Sequence, residues 1–208
     1  TFANTLANVC EAVDADVTAV LGAVGMDKRI GPHFLRPGPG YGGSCFPKDT
    51  VALIRMAQEH GVSSRIVESV VEVNASQKAR MVSKIREALG GSVADKTIAV
   101  LGLTFKPETD DMRDAPSLAI LPALVDRGAL IRAHDPAGMN EARHHLPAAV
   151  AYAASIDEAV TGADAVVLMT EWNQYRGMDL DKLKSQMKGD VFVDLRNVYE
   201  RGLMQAAW

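Results

Sequence analysis

The sequence predicts an α/β chain in two parts, helical over residues 1–91 and built on a parallel sheet over residues 92–208. Two observations carry that reading. Up to Leu89 the apolar residues recur at helical spacing. Beyond Gly90-Gly91 they gather into short buried runs separated by helical stretches, the pattern of Rossmann-like winding. Length agrees, since 208 residues make one large or two small domains at about 150 residues each.

The elements follow in order. Leu6, Val9, Cys10 and Val13 form one helical stripe, and Val17, Val20, Leu21 and Val24 a second. Asp14 and Asp16 break the two with N-cap chemistry, and Gly25 is a stop. A glycine- and proline-rich loop runs from Gly31 to Pro47, then a helix from Lys48 to His60 closed by Gly61. A long amphipathic helix is expected over Ser64 to Leu89, with Ile66, Val70, Val73, Ile85 and Leu89 on one face. At about 39 Å it exceeds what a compact domain needs, which suits a domain bridge or a dimer spine. Strands are expected at Ile98–Leu103, Ala129–Ala133, Ala165–Met169 and Val191–Leu195. A helix is expected over Ser117–Arg127, kinked or shifted by Pro122.

Composition narrows the function. Hydrophobic residues at 48% and charged residues at 23% exclude a disordered chain. With 22 basic against 26 acidic residues the net charge is −4, and no cationic face shows, so neither nucleic acid nor an anionic membrane is expected as partner. Two cysteines suit a reducing cytoplasm rather than a disulfide framework. No apolar run approaches the roughly 20 residues of a membrane span, and no signal peptide is visible. Thr1 opens inside a helical pattern without an initiator Met, which predicts a portion of something longer.

Two glycine patterns invite a dinucleotide site, and neither suffices. Gly38-Pro39-Gly40-Tyr41-Gly42-Gly43 matches G-x-G-x-x-G literally but follows a proline loop, where the fingerprint needs a strand before it. Gly102 follows a strand but stands alone. Cys45 is the better lead. Two positions before Pro47, it meets a helix start and Lys48, and both favour a thiolate. Asp49 lies in the same first turn, able to hold a water or manage a proton. A lone Cys is also a common small core residue, and an early helical Asp a common cap, so both readings stand on spacing alone. Cys10, on an apolar helical face, reads as structural. His144 and His145 lack partners at metal-ligand spacing, and no metal site is expected. Phe105-Lys106 and Arg196 close two strands at their carboxyl ends, where open α/β sheets bind ligands, and would suit a base and phosphates; ordinary surface charge is the alternative. The run Thr109 to Asp114 reads as a solvated charged turn.

Together these residues are familiar. GPGYGGSCFPKDT at Gly38 to Thr50 resembles the active-site signature of the UDP-glucose/GDP-mannose dehydrogenase family. GMDKRIG at Gly25 to Gly31, LGLTFKPETDDMRDAPS at Leu101 to Ser117, HDP at His134 to Pro136, TEW at Thr170 to Trp172 and DLRN at Asp194 to Asn197 follow in the family's order. The resemblance implies a helical central dimerisation domain followed by a nucleotide-sugar-binding α/β domain. It implies oxidation of a sugar primary alcohol to a carboxylate by two NAD in succession, through a thioester on Cys45, with Asp49 assisting water and proton handling. Phe34, Leu35, Arg36, Tyr41 and Gly42 match the loop around the sugar nucleotide, and Phe105, Lys106 and Arg196 match further substrate contacts. Arg29 matches an arginine reaching the neighbouring subunit's substrate, while Lys48 and Arg113 match residues near the cofactor. SCFPKDT with TEW and DLRN most resembles the UDP-glucose branch; GDP-mannose enzymes tend to carry Leu at Phe46, and N-acetylhexosamine enzymes His at Ser44. The family's NAD-binding domain and an upstream Lys-x-x-x-Asn pair have no counterpart in this sequence, so the chain alone is expected to be inactive. Two readings compete, a standalone nucleotide-sugar-binding or dimerisation module and a cysteine hydrolase or thiol peroxidase, which would need a His base near Cys45; His33 and His60 are nearest in sequence, and neither has an evident orienting partner.

Overall fold

The computed structural model describes residues 1–207, with side chains through Met204. Helices α1 (Phe2–Ala12), α2 (Val17–Gly25), α3 (Phe46–Glu59) and α4 (Arg65–Ala88) come first. Asp16 caps α2 as expected, its carboxylate accepting the Thr18 N–H at 2.8 Å. The buried side of α1 is Ala3, Asn4, Ala7 and Cys10, while Val9 and Val13 face outward, so only part of the apolar stripe is covered. Helix α3 starts at Phe46, two residues before the expected Lys48, because Pro47 is tolerated in a first turn that has no N–H to bond. None of its residues is buried.

Helix α4 has the expected length, about 36 Å at 1.5 Å per residue. Its buried face corrects the expected one: Ile66 is 83% exposed, and the buried residues are Asn74, Gln77, Met81, Val82 and Ile85. The reason is tertiary. Only the C-terminal half packs on the sheet layer, whereas Asn74 and Gln77 turn toward the glycine-rich loop.

The sheet holds β1 (Thr97–Leu101), β2 (Leu130–His134), β3 (Ala151–Tyr152), β4 (Ala165–Leu168) and β5 (Val191–Asp194), all parallel, in the order β3-β2-β1-β4-β5. The expected strands are present within a residue or two, and the two-residue edge strand β3 is an addition. Helix α5 (Ser117–Val125) starts where expected with Pro122 inside it, so the proline does not displace the start. Met81, Val82 and Ile85 of α4 share one core with Ile98, Val100, Ile120, Leu121 and Val167. Leu101, Val166, Leu168, Trp172 and Tyr175 fill the opposite face. The Gly90-Gly91 turn thus separates elements whose side chains meet in one cluster. Among the described residues no helix is long and apolar enough to cross a membrane, and no group of His, Cys, Asp and Glu forms a metal cage.

The chain leaves β1 toward β2 and β3, then crosses over to β4 and β5. The order reverses between β1 and β4, and parallel sheets open a ligand crevice outside the strand ends at such a point. Phe105, Glu171 and Arg196 lie on the segments leaving β1, β4 and β5.

Candidate active site

The crevice is built around Asp135, fully buried at the end of β2. Its Oδ2 accepts the backbone N–H groups of Leu103 and Thr104 at 2.7 and 3.2 Å and the Trp172 Nε1–H at 3.2 Å. Its Oδ1 takes the N–H groups of Ala137 and Gly138 at 3.0 and 2.7 Å. A buried carboxylate is tolerable only with such a set of donors, and this one fixes the turn that presents Phe105 and Lys106. The Lys106 ammonium lies 5.4 Å from the centroid of the Phe105 ring. Gly102 allows that turn, with φ +94 and Thr170 so close that a Cβ would meet it at 2.5 Å.

The glycine-rich loop forms the second wall, and side-chain amides hold it. Asn4 Oδ1 accepts the Gly38 N–H at 2.8 Å, and Gln77 Nε2 donates to the Gly38 carbonyl at 3.0 Å. Asn74 takes the Tyr41 N–H at 2.8 Å and donates to the Tyr41 carbonyl at 3.1 Å. These amides satisfy loop backbone groups as a neighbouring strand would. The loop's far end docks on the run before α5: the Gly43 N–H donates to the Arg113 carbonyl at 2.7 Å, and a Cβ at Gly42 would meet the Asp114 carbonyl oxygen at 2.4 Å. The charged run Thr109 to Asp114 is therefore part of the site wall and not only a solvated turn.

Cys45 follows this loop as the N-cap of α3, exposed, with its Sγ 3.6 Å from the Ser44 hydroxyl. Lys48 and Asp49 pair beside it at 2.6 Å, and the Asp49 carboxylate together with the Cys45 thiolate raises the Lys48 pKa. Arg113 lies on the run that docks against the loop before Cys45, its pKa raised by hydrogen bonding to Asp111 and, more weakly, by the Cys45 charge. The exposed thiol thus sits at a helix N-terminus with two cations in its neighbourhood.

Arg196 closes the crevice. Its Nε donates to the Met169 carbonyl at 2.8 Å and its Nη2 to the Phe105 carbonyl at 3.1 Å. Glu171 Oε2 stands 3.0 Å from Nε as a charge partner, although the N–H points at Met169. Burial lowers the Arg196 pKa, and the Glu171 and Asp194 carboxylates oppose that. The guanidinium therefore ties the ends of β1 and β4 together and lies against Gly38.

A cavity of about 510 Å³ brings together Phe34, Arg36, Tyr41, Gly42, Phe105 and Arg196 with Asn4 and Val70. Leu35 lines an adjoining cleft of about 360 Å³ that shares Arg36 and Arg196. Lys106 stands over the Phe105 ring but lines neither opening, and Phe34 is 88% exposed. Arg29 lines neither opening; exposed, it pairs with Asp27 at 2.7 Å.

The same two-part layout appears in known proteins. The central-domain model of the UDP-glucose/GDP-mannose dehydrogenase family matches residues 1–76, and the family's UDP-binding-domain model matches residues 99–201. The chain belongs to this family. It is 51% identical over 201 residues to a UDP-glucose 6-dehydrogenase of Rhizobium meliloti, covering 97% of this chain and 46% of that protein. Among solved structures, a UDP-glucose dehydrogenase from Pyrobaculum islandicum superposes with a TM-score of 0.86 at 38% identity, covering 95% of this chain and 44% of that one. An NDP-N-acetyl-D-galactosaminuronic acid dehydrogenase from Methanosarcina mazei gives 0.84 at 30% identity, over 98% and 45% of the two chains. The chain thus spans less than half the length of these relatives. The family's motifs divide by task here. HDP and TEW supply Asp135 and Trp172 to the buried anchor under Phe105, while GPGYGGSC supplies the loop and the thiol.

Sequence reasoning missed Asn4, Asn74, Gln77 and Asp135, none of which faces solvent. For Asn74 and Gln77 a signal existed: two amides on the inward stripe of an amphipathic helix need partners there. Asp135 showed only the local half of its role, its bonds to the Ala137 and Gly138 N–H groups, because its other donors, Leu103, Thr104 and Trp172, lie more than 30 residues away along the chain.

Proposed function

We propose that this chain is the central and UDP-sugar-binding part of an NAD-dependent UDP-glucose 6-dehydrogenase. The observation that carries the reading is Cys45, exposed at the N-terminus of α3 at the end of the loop that lines the Phe105–Arg196 cavity. Phe105 offers a flat apolar face for a uracil ring, and Arg36, Lys106 and Arg196 supply positive charge for a diphosphate. The sugar then extends along Tyr41 and Gly42 toward Cys45.

The cofactor fits this chain only at its edge. Lys48 and Arg113 are exposed cations beside the thiol and suit its negative charge. At the start of the turn after β1, Thr170 packs against Gly102. When bound, NAD supplies the acceptor for the hydride removed at each of the two oxidations. The chain's own part is covalent. Cys45 Sγ adds to the carbonyl carbon of the C6 aldehyde, forming a C–S bond as the C=O π bond opens, and the oxygen takes the proton that the thiol gives up; loss of that proton to solvent and of the C6 hydride to the bound acceptor would leave the thioester. At the thioester stage a water attacks the same carbon, Asp49 receives a proton from it, the C–S bond breaks, and the thiolate leaves with the carboxylate formed. Asp49 pairs with the Lys48 ammonium at 2.6 Å, which holds its carboxylate in the first turn of α3.

The exposed apolar residues Leu53, Met56, Val62 and Ile66, on α3, α4 and their linker, support a homodimer through this face. Calorimetric titration of the chain with UDP-glucose, GDP-mannose and UDP-N-acetylglucosamine tests the substrate reading. Binding of UDP-glucose in preference to the other two is expected. Equal binding of all three, or of none, would sink it.

A further inference from the structure

Three Asp-x-Arg triplets occur at Asp27–Arg29, Asp111–Arg113 and Asp194–Arg196. In each, the aspartate Oδ1 accepts the arginine's own backbone N–H at 2.9 Å. In the first two the guanidinium folds back onto the same carboxylate, with Nη2 on Oδ2 at 2.7 Å in both and Nε on Oδ1 at 3.1 and 2.9 Å. The third differs, because Asp194 Oδ2 takes the N–H groups of Val198 and Tyr199 and leaves Arg196 free to reach the Phe105 carbonyl. The bidentate fork is thus a distinct arrangement, and exposed ion pairs of this kind add little to stability. A fork of this geometry fixes direction.

At the second triplet the direction bears on the chemistry. The Asp111 side chain is 15% exposed and the Arg113 side chain 68%, so the carboxylate is seated and the guanidinium projects. The Asp111 carbonyl accepts the Phe105 N–H at 3.3 Å, and the Arg113 carbonyl accepts the N–H of Gly43, two residues before Cys45. Lys48 on α3 and Arg113 before α5 are the cations that interact with the Cys45 charge, and Asp49 and Asp111 are their partners. Lys48 is held by Asp49, so each cation beside the thiol has its own aspartate.

We propose that Asp111 is a positioning residue that holds the Arg113 guanidinium as a fixed cation over the approach to Cys45, where it meets anionic charge brought to the sulfur. A preorganised arginine loses less rotamer freedom on meeting an anion than a free one. The inference rests on Cys45 being the reactive thiol.

The test compares alkylation of Cys45 by anionic iodoacetate and by neutral iodoacetamide, read by mass on the Cys45 peptide; Cys10 is buried. The ratio of the two rates reports the field at the sulfur, because the thiol's own reactivity cancels. Arg113→Gln is expected to lower the ratio roughly threefold at low salt. Asp111→Glu keeps the charge but moves the carboxylate, and is expected to lower the ratio nearly as far. A wild-type ratio in Asp111→Glu, or in Arg113→Gln, would overturn the proposal. A second measurement needs no Asp111 variant: the Arg113 Nε–H, assigned by its loss in Arg113→Lys, should exchange slowly with solvent in 15N spectra. Exchange as fast as in free arginine would also overturn it. The functional reading fails separately, if UDP-glucose leaves Cys45 unprotected from alkylation while the ratios behave as expected.

Discussion

Asn74 on α4 grips both backbone polar groups of Tyr41, accepting its N–H at 2.8 Å and donating to its carbonyl at 3.1 Å. One buried amide thus fixes the middle of the loop that leads to Cys45, and Gly40 lies so close that a Cβ there would meet Asn74 Oδ1 at 2.9 Å. Asn74→Ala leaves two loop groups without partners, at a cost of about 1–3 kcal/mol. A lower midpoint in urea unfolding, together with weaker UDP-glucose binding, is expected. A variant that binds UDP-glucose as wild type would show that the loop needs no grip from α4.

Cys45 and Cys10 should separate cleanly in reactivity. Cys10 is buried on α1, whereas Cys45 is exposed at the N-terminus of α3, where the Lys48 and Arg113 charges act on it. Iodoacetamide at neutral pH is expected to label Cys45 first, with UDP-glucose protecting it. In the full-length enzyme Cys45→Ala should retain UDP-glucose binding and lose carboxylate formation. Most of the four-electron activity surviving in that variant would make Cys45 structural.

Arg196 does two jobs, so its replacements should be graded. Arg196→Ala removes a charge from the cavity and the bonds to Met169 and Phe105, and should weaken UDP-glucose binding roughly 10- to 100-fold. Arg196→Lys restores the charge but cannot span both carbonyls, so it should recover little of the loss in titration calorimetry. Full recovery with Lys would mean that charge alone matters.

Stability should fall as the solution is made mildly acidic. His134 is buried against Tyr175, its Nδ1 2.8 Å from the Tyr175 hydroxyl. Burial lowers its pKa below the ordinary 6.5, with Asp135 opposing. Since the unfolded chain takes up the proton first, the folded state is favoured fully above pH 6.5 and loses that advantage as the pH falls below it. Thermal melts between pH 7.5 and about 5.5 should show a decline that His134→Gln flattens. An equal decline in the variant would assign the effect to other groups.

The exposed apolar face over α3 and α4 predicts self-association. Ile66 is 83% exposed and Met56 59%. Ile66→Asp should shift a micromolar solution from dimer toward monomer in light scattering. A wild-type chain that is monomeric at that concentration would remove the dimer from the reading.

The parallel sheet was legible from residue order alone. Ile98 to Leu101 and Ala165 to Leu168 are short apolar runs covered on both faces, Val191 to Val193 is a partly buried one at the sheet edge, and the helical stretches between them suit parallel crossovers. The Cys45 signature was legible because its chemistry depends on near neighbours along the chain: the thiol, Pro47, Lys48 and Asp49 all lie in one turn. The tertiary structure decided the rest. That α4 buries Asn74 and Gln77 and leaves Ile66 outside follows from where the loop and the sheet layer meet it, which periodicity does not encode. That Asp135 anchors the Phe105 turn, and that the Arg113 backbone meets Gly43 from 70 residues away along the chain, depends on how the segments leaving the strands come together. Spacing records what lies within a helical turn or a strand repeat, whereas a crevice between parallel strands gathers groups whose separation in sequence is set by the crossovers.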